Sequence, residues 1–123
     1  MMNARRQVNK GQELRAVIPA VTIKYSDDLA FDLQTRTSRS FGTYVNITKF
    51  VVAPAVLEFK LGPLAEFLVK QAIEAKATML RAEVPYEMIL VFETLGFVKP
   101  LEKTYWIIPV KWLVALIKKY AGR

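Results

Sequence analysis

Residues 33–57, LQTRTSRSFGTYVNITKFVVAPAVL, hold the side chains best suited to chemistry, and that chemistry is binding rather than catalysis. The stretch carries no acidic residue. Arg36, Arg39 and Lys49 are interleaved with the rings of Phe41, Tyr44 and Phe50 and with the hydrogen-bonding groups of Asn46 and Thr48. Cations meet phosphates, while flat rings and small polar groups meet bases. A guanidinium clamps a phosphate or stacks on a base. Lys24, expected on a neighbouring strand, extends the track. Together with Lys24, these residues are the candidate nucleic-acid-binding set. The competing reading is a basic hairpin whose rings simply pack the sheet, under a helix or a partner subunit.

Other chemistry is scarce. The chain has no Cys and no His, which removes disulfides, thiolate nucleophiles, the usual zinc sites and imidazole acid–base catalysis. Asp27, Asp28 and Asp32 are the only acid cluster. Their oxygens could hold Mg²⁺, but Ser26-Asp27-Asp28 reads first as a turn, because Asp side chains bond nearby amides. The glycines are scattered singly, so no phosphate loop exists. Glu83, Glu87 and Glu93 have the chemistry of acids or bases, but nothing pairs them with a nucleophile, and they read as surface carboxylates. The expectation is a non-enzyme with no cofactor and no metal.

The charge balance agrees with a polyanionic partner: 18 Lys plus Arg against 11 acids give +7. Hydrophobic residues make up 53% of the chain, more than one small core hides, so a homo-oligomer is expected. Trp106, Trp112 and Tyr120 are candidate interface anchors. No apolar run approaches the roughly 18 residues of a membrane span. The N-terminus lacks the apolar region of a secretory signal. A cytoplasmic location is expected.

The elements that must position the binding set follow from periodicity. Residues 1–16 read as a basic N-terminal arm, and 17–123 as one domain. Val21, Ile23 and Tyr25 alternate with polar residues, and so do Leu29, Phe31 and Leu33; the two runs make a hairpin. Thr35–Gly42 reads as a loop, Thr43–Val52 as a third strand and Val56–Leu61 as a fourth. On the third strand, Val45, Ile47 and Val51 share a core face, interrupted by Lys49. Tyr44, Asn46, Thr48 and Phe50 share a half-exposed face. Gly62-Pro63 opens an amphipathic helix over 63–80. Residues 84–98 fit either helix or strand, with an end at Gly96. A strand over 104–110 and a helix over 111–120, with Trp112, Leu113, Leu116, Ile117 and Tyr120 facing in, complete the chain. The fold class is α+β: a largely antiparallel sheet, about four strands from the N-terminal half, packed by the 63–80 helix and the C-terminal helix.

Three resemblances bear on this reading. The run Phe41-Gly42-Thr43-Tyr44-Val45-Asn46-Ile47-Thr48-Lys49-Phe50 resembles the strand of positive-cofactor-4-type single-stranded DNA binders, in which a glycine turn leads into an alternating strand. Four strands, an amphipathic helix and a basic sheet cleft in a small Cys-free chain are similar to the archaeal ThermoDBP family. That resemblance rests on organisation and carries over no residue position by position. It implies an oligomer that binds single-stranded DNA in a cleft. A helix at 86–95, Leu95-Gly96-Phe97-Val98, a basic turn at Lys99–Lys103 and the strand Tyr105–Ile108 resemble a winged helix with its wing. The expected function is therefore sequence-nonspecific binding of single-stranded nucleic acid, with DNA preferred and RNA open. The alternatives are a structural subunit of a ribonucleoprotein or viral assembly, or a winged-helix-like DNA binder.

Overall fold

The structure, a computed structural model, describes residues 19–53 and 60–121, with side chains up to Lys119. The basic arm at 1–16, most of the strand expected at Val56–Leu61 and the Tyr120 side chain lie outside the described residues. Strands β1 (Val21–Ser26), β2 (Leu29–Ser38) and β3 (Gly42–Val52) form a meander of antiparallel neighbours. Period-two alternation sets the register, with Ile23 opposite Phe31 and Leu33 opposite Ile47. The loop expected at Thr35–Gly42 shrinks to a tight turn, because Thr35, Arg36 and Thr37 pair with Val45, Tyr44 and Thr43. Ser38 Oγ accepts the Phe41 N–H at 2.9 Å and closes that turn.

Helix α1 (Leu61–Glu74) follows, then β4 (Met79–Ala82), a 3₁₀ turn (Tyr86–Met88), α2 (Ile89–Leu95), β5 (Trp106–Pro109) and α3 (Val110–Ala121). The strand order is β1-β2-β3-β4-β5. β4 lies parallel to β3, and every other neighbouring pair is antiparallel. The fold is thus α+β, with a mostly antiparallel sheet packed by helices.

The helix expected over 63–80 stops early, and Met79 and Leu80 belong to β4. The stop is a left-handed cap at Lys76, φ 57°. Lys76 N–H donates to Ile73 O at 3.0 Å and Ala77 N–H to Ala72 O at 2.9 Å, the paired bonds of a Schellman motif. Helix α2 ends the same way at Gly96, φ 103°, with Phe97 N–H on Phe92 O at 3.0 Å. The ambiguous 84–98 segment is therefore mainly helical. Val98 bridges Ile107 antiparallel, so the wing-like hairpin is an extension of the central sheet.

All three helices serve one core. Leu64, Leu68 and Ala72 of α1, Phe92 and Leu95 of α2 and Leu113 of α3 are buried together with Leu33, Ile47, Leu80 and Ile108 from one face of the sheet. A chain of rings runs through this core from Tyr25 to Phe67, Phe31, Phe50, Phe92 and Phe97, with centroid spacings between 4.8 and 6.1 Å. Trp112, expected to face in, is 55% exposed on α3.

The middle of β3 departs from simple alternation. Thr48 pairs with Asp32 and Val51 with Ala30, so Lys49 and Phe50 together oppose Phe31. This is a β-bulge, with Lys49 left-handed at φ 53°. One extra residue inverts the faces beyond it. Phe50 turns into the core against Phe31 at 5.6 Å and Phe92 at 5.5 Å, while Val51 becomes 68% exposed. The expected placement of Phe50 on a binding face and of Val51 in the core is reversed.

Candidate functional site

The bulge lies where the sheet splits. β3 and β4 run in parallel from the Tyr44–Met79 pair to the Ile47–Ala82 pair. The Glu83 N–H donates to Ile47 O at 2.9 Å and is the last link. β4 then turns away into the 3₁₀ turn, while β3 continues to Val52. The Ala53 N–H donates to Asp28 O at 2.9 Å, toward β2. By strand alternation, Phe50 and Val52 direct their backbone groups the other way, into the space β4 has left. The connection at 54–59 lies outside the described residues, and α1 begins just after it. The first turn of α1 has no acidic residue, and Lys60 stands at its N-cap without a side-chain cap bond. A helix start of this kind favours an anion.

The second feature is the sheet face opposite the core, which no described helix covers. Across its middle, Tyr44 is buried to 6% exposure and packs edge-on against Phe41 at 5.3 Å. Phe41 meets Tyr105 edge-on at 6.2 Å. The Arg81 guanidinium lies 4.2 Å above the Tyr105 ring, and its Nη2 stands 3.8 Å from Glu83 Oε2. Asn46, opposite Arg81 in the register, is 5% exposed. Asn46 Oδ1 and Arg81 Nε have no hydrogen-bond partner among the described residues.

The residues singled out from the sequence divide between these surroundings. Arg36, beside Tyr44, and Thr48, beside Asp32, lie on the open face with Tyr44 and Asn46, and Phe41 covers its tip. Lys24 is on the same face at the far edge and pairs with Asp27 at 3.1 Å. Arg39 is in the exposed turn beyond the strands, Lys49 is the exposed bulge residue, and Phe50 is in the core. Asp32, from the acid cluster, accepts the Thr22 hydroxyl at 2.7 Å, and Asp28 N–H donates to Ser26 Oγ at 3.1 Å, so these acids serve the hairpin. Sequence reasoning missed Arg81 and Tyr105. Arg81 followed directly on a helix read as running to residue 80. Tyr105 alternated out of the strand face that Trp106 and Ile108 define.

No protein-family model matches the chain, and no curated relative does. Solved structures do match in fold. A chain of the AtaTR complex bound with acetyl-CoA aligns with TM-score 0.54 and 10% identity, over 72% of this chain and 62% of that one. A chain of the DNA-bound AtaT–AtaR complex gives TM-score 0.54 and 11% identity, over 91% of this chain and 76% of that one. A chain of the KacTA–DNA complex gives TM-score 0.57 and 10% identity, over 94% and 87%. This chain thus spans less than two-thirds of the acetyl-CoA-bound neighbour. The likeness corrects the expectation of a non-enzymatic single-stranded nucleic-acid binder. The fold is that of chains whose solved complexes include one with acetyl-CoA and two with DNA. On the open face Phe41 meets both Tyr44 and Tyr105 edge-to-face, Tyr44 is buried, and the Arg81 guanidinium covers the Tyr105 ring. Among the described residues no helix is long and apolar enough to cross a membrane.

Proposed function

We propose that this chain binds an acyl-CoA, acetyl-CoA first, in the split between β3 and β4, and passes the acyl group to an amine. The observation that carries the reading is the split itself, placed beside a helix start that lacks acids, in a fold shared with an acetyl-CoA-bound chain. The pantetheine arm is thin, extended and rich in amides. It suits the Phe50–Val52 edge as an added strand, bonding to main-chain groups that β4 no longer meets. The diphosphate suits the start of α1, where the amides of Leu61 and Gly62 and the Lys60 ammonium supply positive charge. Pro63 contributes no N–H there.

The chemistry follows from the geometry. The covered face of the sheet is filled by core, so the acceptor approaches over the open face. Its nitrogen attacks the thioester carbonyl, a C–N bond forms, the C–S bond breaks and CoA leaves as a thiolate. The proton lost by the amine passes through a base to that thiolate, giving the free thiol. Glu83 is the carboxylate next to the last β3–β4 link, half-exposed on the open face, and we assign it this role. Use of an acyl-CoA agrees with the cytoplasmic location expected from the sequence.

The test is thiol release from acetyl-CoA in the presence of a panel of lysine peptides and polyamines. Release that depends on the amine is expected, with kcat falling about 10²- to 10³-fold in Glu83→Gln. No release above the blank with any amine, together with no acetyl-CoA binding, would remove the reading.

A further inference from the structure

We propose that Arg81, laid flat on the ring of Tyr105, is the positioning residue of the Glu83 base. The role rests on the acyl-transfer reading above and deepens it. Sheet register brings the three residues together. β4 and β5 pair antiparallel, with Arg81 opposite Ile107 and Ala82 opposite Trp106. One further step in the same register sets Tyr105 across from Glu83. By alternation Arg81 and Glu83 share a face. Arg81 reaches Tyr105 along the diagonal between strands, a separation that long and aromatic side chains span. The result is a guanidinium 4.2 Å from the ring centroid, with Nη2 3.8 Å from Glu83 Oε2.

The two ends of this pair are held unequally. The Glu83 main chain is tied to Ile47 O at 2.9 Å, but its side chain is 53% exposed where β4 leaves the sheet. A long, half-exposed carboxylate samples many rotamers unless something fixes it. The Arg81 side chain is only 22% exposed, and its Nε is buried. The Tyr105 ring holds the guanidinium by its face, which fixes the plane in which the Nη edge lies. Oε2 of Glu83 is thereby drawn to the arginine, and Oε1 is the oxygen we give to the amine proton. An ion pair this open adds little to stability. Its worth lies in where it keeps the carboxylate, since a misplacement of about 1 Å can cost on the order of 10²-fold in rate.

The test is amine-dependent thiol release from acetyl-CoA by the full chain, with kcat and KM measured separately in single and double variants. Tyr105→Leu should lower kcat about tenfold and leave KM for acetyl-CoA within about twofold. Tyr105→Phe keeps the ring face and loses only the hydroxyl, so it should rescue kcat. Arg81→Lys keeps the charge without the flat plane, and should fall with Tyr105→Leu. In a Glu83→Gln background none of these changes should lower kcat further, because the group they position is gone. Losses of equal size with and without Glu83 would show that Arg81 and Tyr105 only support the fold, and would overturn the proposal. So would a Tyr105→Phe chain as slow as Tyr105→Leu, or full activity in both Tyr105→Leu and Arg81→Lys. Circular-dichroism melts separate unfolded variants from slow ones, and if Tyr105→Leu unfolds, Arg81→Lys carries the same comparison. Absence of amine-dependent release from the unaltered chain is a different result: it removes the acyl-transfer reading, and the positioning role with it.

Discussion

Phe50 and Val51 are adjacent, and the Lys49 bulge decides which of them is core. Truncating each to alanine therefore tests the bulge directly. Phe50 packs against Phe31 in a tilted pair at 5.6 Å and against Phe92 edge-to-face at 5.5 Å, and is half-buried. Phe→Ala changes in cores cost about 3–5 kcal/mol, and each ring pair adds about 0.5–1.5 kcal/mol beyond its area. Partial exposure moves Phe50 to the lower end, so Phe50→Ala should cost about 3 kcal/mol. Val51 is 68% exposed, and Val51→Ala should stay within about 0.5 kcal/mol. In urea, with a slope of about 1.5 kcal/mol/M, the first change lowers the midpoint by about 2 M and the second hardly moves it. Uninterrupted alternation along β3 would give the reverse order. A larger loss in Val51→Ala than in Phe50→Ala would refute the bulge and the direction in which β3 leaves the sheet.

Further outcomes follow from the helix ends and the core. Gly96→Ala should cost about 1–2 kcal/mol, because φ 103° strains an L side chain and its Cβ would meet Ile108 Cδ1 at 3.2 Å; a melting temperature lower by several degrees checks this. Lys76→Gly should raise stability by roughly 1 kcal/mol by relieving the left-handed lysine at the end of α1, read as a higher urea midpoint. Burial raises the Tyr25 phenol above its ordinary 10.0. The folded state thus holds that proton more tightly than the unfolded chain does. The associated stability is intact below pH 10.0 and is lost as pH climbs through the folded value. Melting curves on the alkaline side should show that loss, and Tyr25→Phe should reduce it.

Much of the fold was legible because it is written in periodicity. The alternation of Val21–Tyr25, Leu29–Leu33 and Thr43–Ile47 fixed the meander and its buried face, and Gly96 announced the end of α2. The failures share a cause: backbone states that ordinary residues adopt without a compositional sign. Lys76 caps α1 in a conformation usually left to glycine, so the helix seemed to run on into β4. Lys49 forms a bulge with no glycine, so Phe50 was placed on the wrong face. The candidate site was harder still. A split between parallel strands depends on which strands become neighbours, and β4 was hidden in the supposed helix. Tyr44 and Asn46 were rightly grouped on one face, yet the ring against Tyr44 is Phe41 of the turn, and Phe41 in turn meets Tyr105, more than 50 residues away by the chain's own numbering.

The most direct measurement is an amide NMR titration of the chain with acetyl-CoA, paired with a melt of the same samples. Acetyl-CoA in the split should shift the amides of Phe50, Val52, Leu61 and Gly62 in one saturable event. At a free concentration of about 100 times Kd it should stabilise the fold by about 2.7 kcal/mol. An unchanged spectrum and an unchanged melting temperature at millimolar acetyl-CoA would contradict binding, and shifts confined to residues remote from β3 and the start of α1 would contradict the site.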